Sequence, residues 1–354
     1  MEIVAFTRLG HFARSQRVAP DARIFKTRKC GLDRLRLFPH PSGGIMSLIK
    51  TRIEVNNAVF SLPYHVAMER GIFKEEGLDV TLVPAGSGRD RDKEVPDKPI
   101  EDHTQVKSYG WHEGIETGEF SMYRACEWGQ IRRTQDSCQG ARVVTKRAAV
   151  ATQAIIVAGN SPHNIPGDLR NVLVGVNMHA GSHYSALGLL GGFMTRKSDV
   201  RVGHVGGPKQ RLRLLEEGKI GAAALMEPWI TVAVKRGHKI ICEGFYDGAE
   251  VAVPSLAPDT YARIDRSVRK AVDVINQDMR PFLKYMIREV PADICKLTEG
   301  DFYLGRFRYL YPRPYSREEY EHIYDWMVGW GLLAAESTFD KIVDRAFVAA
   351  TDNA

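Results

Sequence analysis

From Thr51 to Val55 the run TRIEV alternates polar and apolar residues, the period of a strand with one covered face. The next stretch, SLPYHVAMERGIFKEEG, predicts a helix, with Ser61 as its N-cap, Pro63 in the first turn and Gly71 as the stop. Alternation returns in LDVTLV, Leu78 to Val83, as a second strand. The highly charged GSGRDRDKEVPDKPIEDHTQ carries two prolines and predicts a long solvated loop over 86–107. WHEGIETGEFSMYRA then reads as a short helix, a glycine turn and a strand.

The same order recurs downstream. RVVTKRAAVATQAIIVAG predicts strands, IPGDLRNVLVGVNM a short helix start and a strand, and GSHYSALGLLGGFM a helix. QRLRLLEEGKIGAAALMEPWITVAVKRG follows as helix, turn, strand, helix, and the pattern beyond Ile264 is helical. Strand and helix alternating in this way predict an α/β fold with mostly parallel sheets. One stretch breaks the pattern. SMYRACEWGQIRRT (121–134) begins as an apolar strand and ends in Cys126, Glu127, Trp128, Gln130, Arg132 and Arg133.

Composition narrows the function. At 354 residues with 44% apolar content, the chain fits two ordinary lobes or one large α/β domain. No run of 18 apolar residues predicts a membrane span. The net charge of +6 resides in residues 1–45, which hold nine basic and three acidic residues, so the remainder is balanced. A neutral body argues against nucleic-acid binding. Residues 1–45 read as a basic, disordered leader, with a natural second start at Met46; neither start supplies an apolar signal core. That favours the cytoplasm, or the periplasm if the true start differs from both. Five cysteines without a Cys-x-x-Cys pair, and scattered histidines, predict neither disulfides nor a metal, and no cofactor motif occurs.

Four phrases carry a resemblance: HVAMERGIFKEEGLDV (65–80), PGDLRNVLVGVNMHAGSHYSAL (166–187), LEEGKIGAAALMEPW (215–229) and WGLLAAESTFDKIVDRAF (330–347). In this order the chain resembles the periplasmic-binding-protein-like type II family of nitrate, sulfonate, taurine and pyrimidine-precursor binding proteins (NMT1/THI5-like). The resemblance implies two α/β lobes closing on a central cleft. The first lobe would take residues 50–148 and 250–354, the second 149–249, with crossovers near VATQAI and GAEVAV. Ligands of such sheets lie beyond the carboxyl ends of strands, beside helix starts, which places ACEWGQ at the cleft.

Candidate ligand-binding residues follow from the strand ends. Asn57, Ser61 and Tyr64 lie at the first helix, whose unpaired N–H groups suit an oxyanion. Gly181, Ser182 and His183 repeat that geometry in HAGSHYSAL, and Glu227 and Trp229 close a third strand end. In SMYRACEWGQIRRT, Glu127, Trp128 and Gln130 are the strongest cleft candidates, with Arg124, Arg132 and Arg133 as alternative forks for a carboxylate or sulfonate and Cys126 as a nucleophile candidate. Each has a plain structural counterpart: Ser61 as a cap, Trp229 as a core anchor, Arg132 and Arg133 as a solvated face, Cys126 as a small buried hydrophobe.

The resemblance implies a solute-binding protein that captures a small organic anion for an ABC permease. The alternative is a cytosolic enzyme on the same scaffold: a decarboxylase, desulfinase or hydrolase of a small aromatic acid, with Glu127 and His183 as an acid/base pair. Desulfinase-like relatives use a cysteine after the first strand, where this chain has Ala58.

Overall fold

The alternating run around Thr51 forms β1 (Ile49–Val55), which leads at once into α1 (Ala58–Glu69). The helix starts three residues before the expected cap, with Asn57 at the N-cap position. Ser61 lies inside it and turns back instead, its hydroxyl accepting from the Asn56 N–H at 3.0 Å and donating to Asn56 Oδ1 at 2.9 Å. Pro63 cannot donate to the Val59 carbonyl four residues earlier. The Tyr309 hydroxyl takes that place, at 3.0 Å. Gly71, at φ 73°, ends the helix in the left-handed region that glycine tolerates.

The computed structural model describes residues 47–85, 96–106, 113–134, 137–333 and 336–347. The leader 1–45 and residues 86–95 of the charged loop lie outside the described residues. After α2 (Ile72–Glu75) and β2 (Leu78–Pro84) come α3 (Glu113–Glu116), β3 (Met122–Cys126), α4 (Glu127–Thr134) and β4 (Arg142–Lys146). Next are β5 (Ala149–Val157), β6 (Leu173–Val176), α5 (Gly181–Gly191), β7 (Arg201–His204), α6 (Pro208–Glu216) and β8 (Ala222–Leu225). The chain continues through α7 (Trp229–Lys235), β9 (Lys239–Tyr246), β10 (Gly248–Ala252), α8 (Pro258–Gln277) and α9 (Leu283–Glu289). It finishes with β11 (Arg308–Tyr309), α10 (Arg317–Gly329) and α11 (Phe339–Ile342).

The fold is α/β with two sheets. One has the order β2-β1-β3-β10-β4, the other β11-β5-β8-β6-β7 with β9 also on β5. Strands joined through helices run parallel: β1 with β2 and β3, β6 with β7 and β8. The strands that pass between sheets enter antiparallel, β10 against β3 and β4, β5 against β8 and β9. The chain leaves the first sheet between Lys146 and Ala149 and returns between Tyr246 and Gly248, so GAEVAV itself is mostly β10. The two crossings lie side by side, the Arg147 N–H donating to the Gly248 carbonyl at 2.9 Å.

The charged segment is not wholly a solvated insertion. Ile100 pairs antiparallel with His204 through two backbone hydrogen bonds of 3.2 and 2.7 Å. Glu101 takes a fork of 2.6 and 2.7 Å from Arg201. Backbone groups left free along the edge of β7 explain the docking: an edge strand is a template for another segment. A strap from the β2–β3 connection thus joins the second sheet. No helix among the described residues is long and apolar enough to cross a membrane.

Candidate functional site

The polar stretch at the end of β3 divides by strand alternation. Arg124 points into the core, where it is 1% exposed. Opposite it on β10 stands Glu250, with Arg124 Nε 3.4 Å from its carboxylate, and Arg124 also donates to the Glu54 carbonyl at 2.7 Å. Its guanidinium lies 3.5 Å from the centre of the Tyr64 ring. The expected anion fork is therefore a sealed ion pair, and Tyr64 is its aromatic cover rather than a cleft residue.

Glu127 opens α4, buried, but its carboxylate is already engaged. Lys146 Nζ lies 2.7 Å away and the Tyr315 hydroxyl donates at 3.2 Å. The same ammonium meets Asp247 at 3.1 Å and Glu319 at 3.4 Å. Three carboxylates hold Lys146 charged and its pKa up, while burial pushes Glu127, the most enclosed of them, up as well despite the lysine. Lys146 precedes one crossing and Asp247 lies in the other, so the network bridges the two crossings. Gln130 is buried with its carbonyl oxygen lacking a donor among the described residues. Arg132 donates to the Leu332 carbonyl, and the Arg133 guanidinium lies 4.7 Å from the Tyr123 ring centre; neither presents the solvated face expected of it. Burial pushes the Cys126 thiol up to about 11, which removes the thiolate a nucleophile needs.

Trp128 does reach the junction of the two sheets. It stacks on Tyr184 of α5 at 5.6 Å and on Tyr246 at 5.5 Å, and tilts against Trp326 at 5.9 Å. Gly181 begins α5 beneath Tyr246: any side chain there would run into the Tyr246 hydroxyl. Ser182 closes its own loop, accepting from the Asn177 N–H at 2.9 Å. His183 accepts from the His179 N–H at 3.3 Å and packs near the rings of His103, His179 and Tyr184. Burial and the neighbouring imidazoles pull its pKa down to about 3. The partners of Glu127 and of His183 are thus separate sets, and the expected acid/base pair does not form.

The predicted oxyanion seat at α1 holds an internal carboxylate. Glu289, at the end of α9, receives the Asn57 side-chain amide at 2.6 Å and the Ala58 N–H at 2.8 Å. Glu227 is fully buried. It accepts from the Thr231 hydroxyl at 2.7 Å and faces Arg306 at 3.4 Å, and burial raises its pKa. Trp229 is a core anchor at the start of α7.

What sequence reading missed surrounds Tyr246. Its ring lies 6.3 Å from Phe60 of α1, and the Arg147 Cζ sits 4.7 Å from the Phe60 ring centre and 5.1 Å from that of Tyr246. Arg147 is 4% exposed; its Nε donates to the Ala149 carbonyl at 2.6 Å, and its two terminal nitrogens meet no acceptor among the described residues. Arg211, in the first turn of α6, is 2% exposed, with Nη2 4.0 Å from the Met226 sulfur and with Nε and Nη1 unmatched among the described residues. Burial pulls the Arg211 pKa down to about 9, opposed by the nearby Tyr246 phenol. A buried guanidinium whose N–H groups lack acceptors costs about 1–3 kcal/mol. Two such groups near one tyrosine make a cationic setting suited to an anion. The signal in the sequence was the Lys146-Arg147 pair inside the apolar run from Val143 to Val157.

No protein-family model matches the chain, and no curated protein sequence matches it. Solved structures do. The alkanesulfonate-binding protein SsuA of Xanthomonas axonopodis pv. citri, described bound to MOPS, aligns with TM-score 0.62 at 14% identity, over 83% of this chain and 98% of its own. The chain has the type II periplasmic-binding-protein-like fold. A conserved Candida albicans protein described as exhibiting the generic periplasmic binding protein fold gives TM-score 0.62 at 13% identity, covering 84% of this chain and 96% of its own. The desulfurization enzyme DszB gives 0.55 at 13% identity, covering 86% and 99%. The scaffold therefore has binding proteins and an enzyme among its structural neighbours.

Proposed function

We propose that the protein captures a small organic anion, a sulfonate or carboxylate, beside Tyr246, as a solute-binding protein does for an ABC permease. The observation that carries this reading is the pair of sealed guanidinium groups, Arg147 and Arg211, with four N–H-bearing nitrogens unmatched among the described residues. Buried guanidinium N–H groups without acceptors are costly for a fold to keep, and an incoming anion supplies acceptors for them. The sulfonate-binding neighbours support the ligand class. Chemistry on the ligand has less support, because Cys126 is held as a thiol and Glu127 is held by Lys146.

The test is a thermal-shift and calorimetric screen of small sulfonates and carboxylates against the full chain, with mass analysis of each mixture. Binding of at least one anion without a change in its mass is the expected result. A product mass moves the protein to the enzyme class, and no shift with any anion overturns the reading.

A further inference from the structure

We infer that the ligand carries an O–H or N–H donor beside its anionic group, and that Gln153 reads that donor; this rests on the anion reading above. Gln153 lies on β5, two residues from Ala151, and Ala151 pairs with Tyr246. Side chains two apart on a strand share a face, so the Gln153 amide and the Tyr246 phenol lie side by side. Both the Gln153 amide and the Arg147 guanidinium oppose the rise that burial gives the phenol's pKa, the sign of donors facing its oxygen. Opposite Gln153 stands Gly244, which adds no side chain of its own.

Gln153 is 2% exposed, and its Oε1 has no donor among the described residues. An anion alone would satisfy Arg147 and Arg211. It would also bring a second set of acceptor oxygens towards the Gln153 carbonyl oxygen, which repel it. A hydroxyl or amino group next to the anionic group removes that conflict, donating to Oε1 while the anion takes the guanidinium N–H groups. A site that holds a buried, unmatched acceptor discriminates against the analogue lacking the donor. The arrangement therefore favours hydroxy or amino acids over plain alkyl acids of equal size.

Matched pairs test this by calorimetry on the full chain: 2-hydroxyethanesulfonate against ethanesulfonate, and glycolate against acetate. The hydroxylated member is expected to bind roughly 10–100-fold more tightly. In Gln153→Leu the two members should fall within about threefold of each other. Gln153→Met serves the same purpose should the leucine variant fail to fold, as read by circular dichroism. Equal affinities in the unaltered protein overturn the inference and leave the anion reading intact. So does full discrimination in either folded variant. Failure of both members of both pairs, alongside a negative wider screen, overturns the anion reading and this inference with it.

Discussion

Arg124 and Arg147 are both buried and both lie against aromatic rings, yet Arg124 has the Glu250 carboxylate at 3.4 Å whereas Arg147 feels it only at longer range. The difference comes from register, since β10 sets Glu250 opposite Arg124. Nothing local in SMYRACEWGQ announces that partner, which lies 126 positions along the chain. Glu289 is farther still from Asn57, at 232 positions. Sequence reading recognised the α1 start as an anion seat on sound grounds, but the occupant was legible only after folding. At Arg211 the same logic yields a prediction. Arg211→Met exchanges a buried, unmatched cation for an apolar side chain, so the ligand-free protein should gain about 1–3 kcal/mol in stability. Affinity for the anion should fall tenfold or more. Thermal denaturation with a parallel titration checks both. A variant that is less stable and binds normally would show that Arg211 is a structural residue.

Among the elements, those with a strict period were legible: β1, β2 and the first helix appear where alternation and Gly71 put them, within a few residues. The strap was not, because Ile100 and Glu101 acquire meaning only beside β7, an edge formed a hundred residues later. The strap also brings His103 to a group of imidazoles. His179 Nε2 lies 2.8 Å from the His103 carbonyl oxygen, and His204 Nδ1 accepts from the Met178 N–H at 3.1 Å. Burial lowers the pKa of all four, to about 4 for His179 and about 3 for His183. Arg132 of α4 and Arg211 of α6 oppose their protonation, and Asp102 on the strap favours it at His103. A base depressed on folding takes its proton in the unfolded state first. The stability these groups allow is thus complete above about 6.5 and is lost as pH falls towards 4. The protection factors of residues 97–106, which correct for the slower intrinsic exchange at lower pH, should fall between pH 7 and pH 5 more than those of β1. An equal loss of protection in both segments would show that the imidazoles do not act on the strap.

At the scale of the molecule, several contacts tie the two sheets together. The strap binds β7, Trp128 of α4 stacks on Tyr184 and Tyr246, and Trp326 and Trp330 lie on the glycine ledge of α5 at Gly188 and Gly191. With these contacts formed, Tyr246, Arg147 and Arg211 are all buried, so an anion bound among them would have to wait for one of the contacts to open. Association limited in that way is slow and saturates with concentration, because the opening step precedes binding. The strap is the weakest tie, since its Arg201–Glu101 pair is half-exposed and screened by solvent. Arg201→Ala should therefore raise the plateau of the observed association rate, by up to about fivefold, and leave the melting temperature nearly unchanged. Stopped-flow fluorescence of Trp128 and its neighbours, with whichever anion the screen identifies, measures the plateau directly. A rate that climbs linearly to high ligand concentration, with the same slope in Arg201→Ala, would mean that the anion site stands open to solvent and that the strap gates nothing.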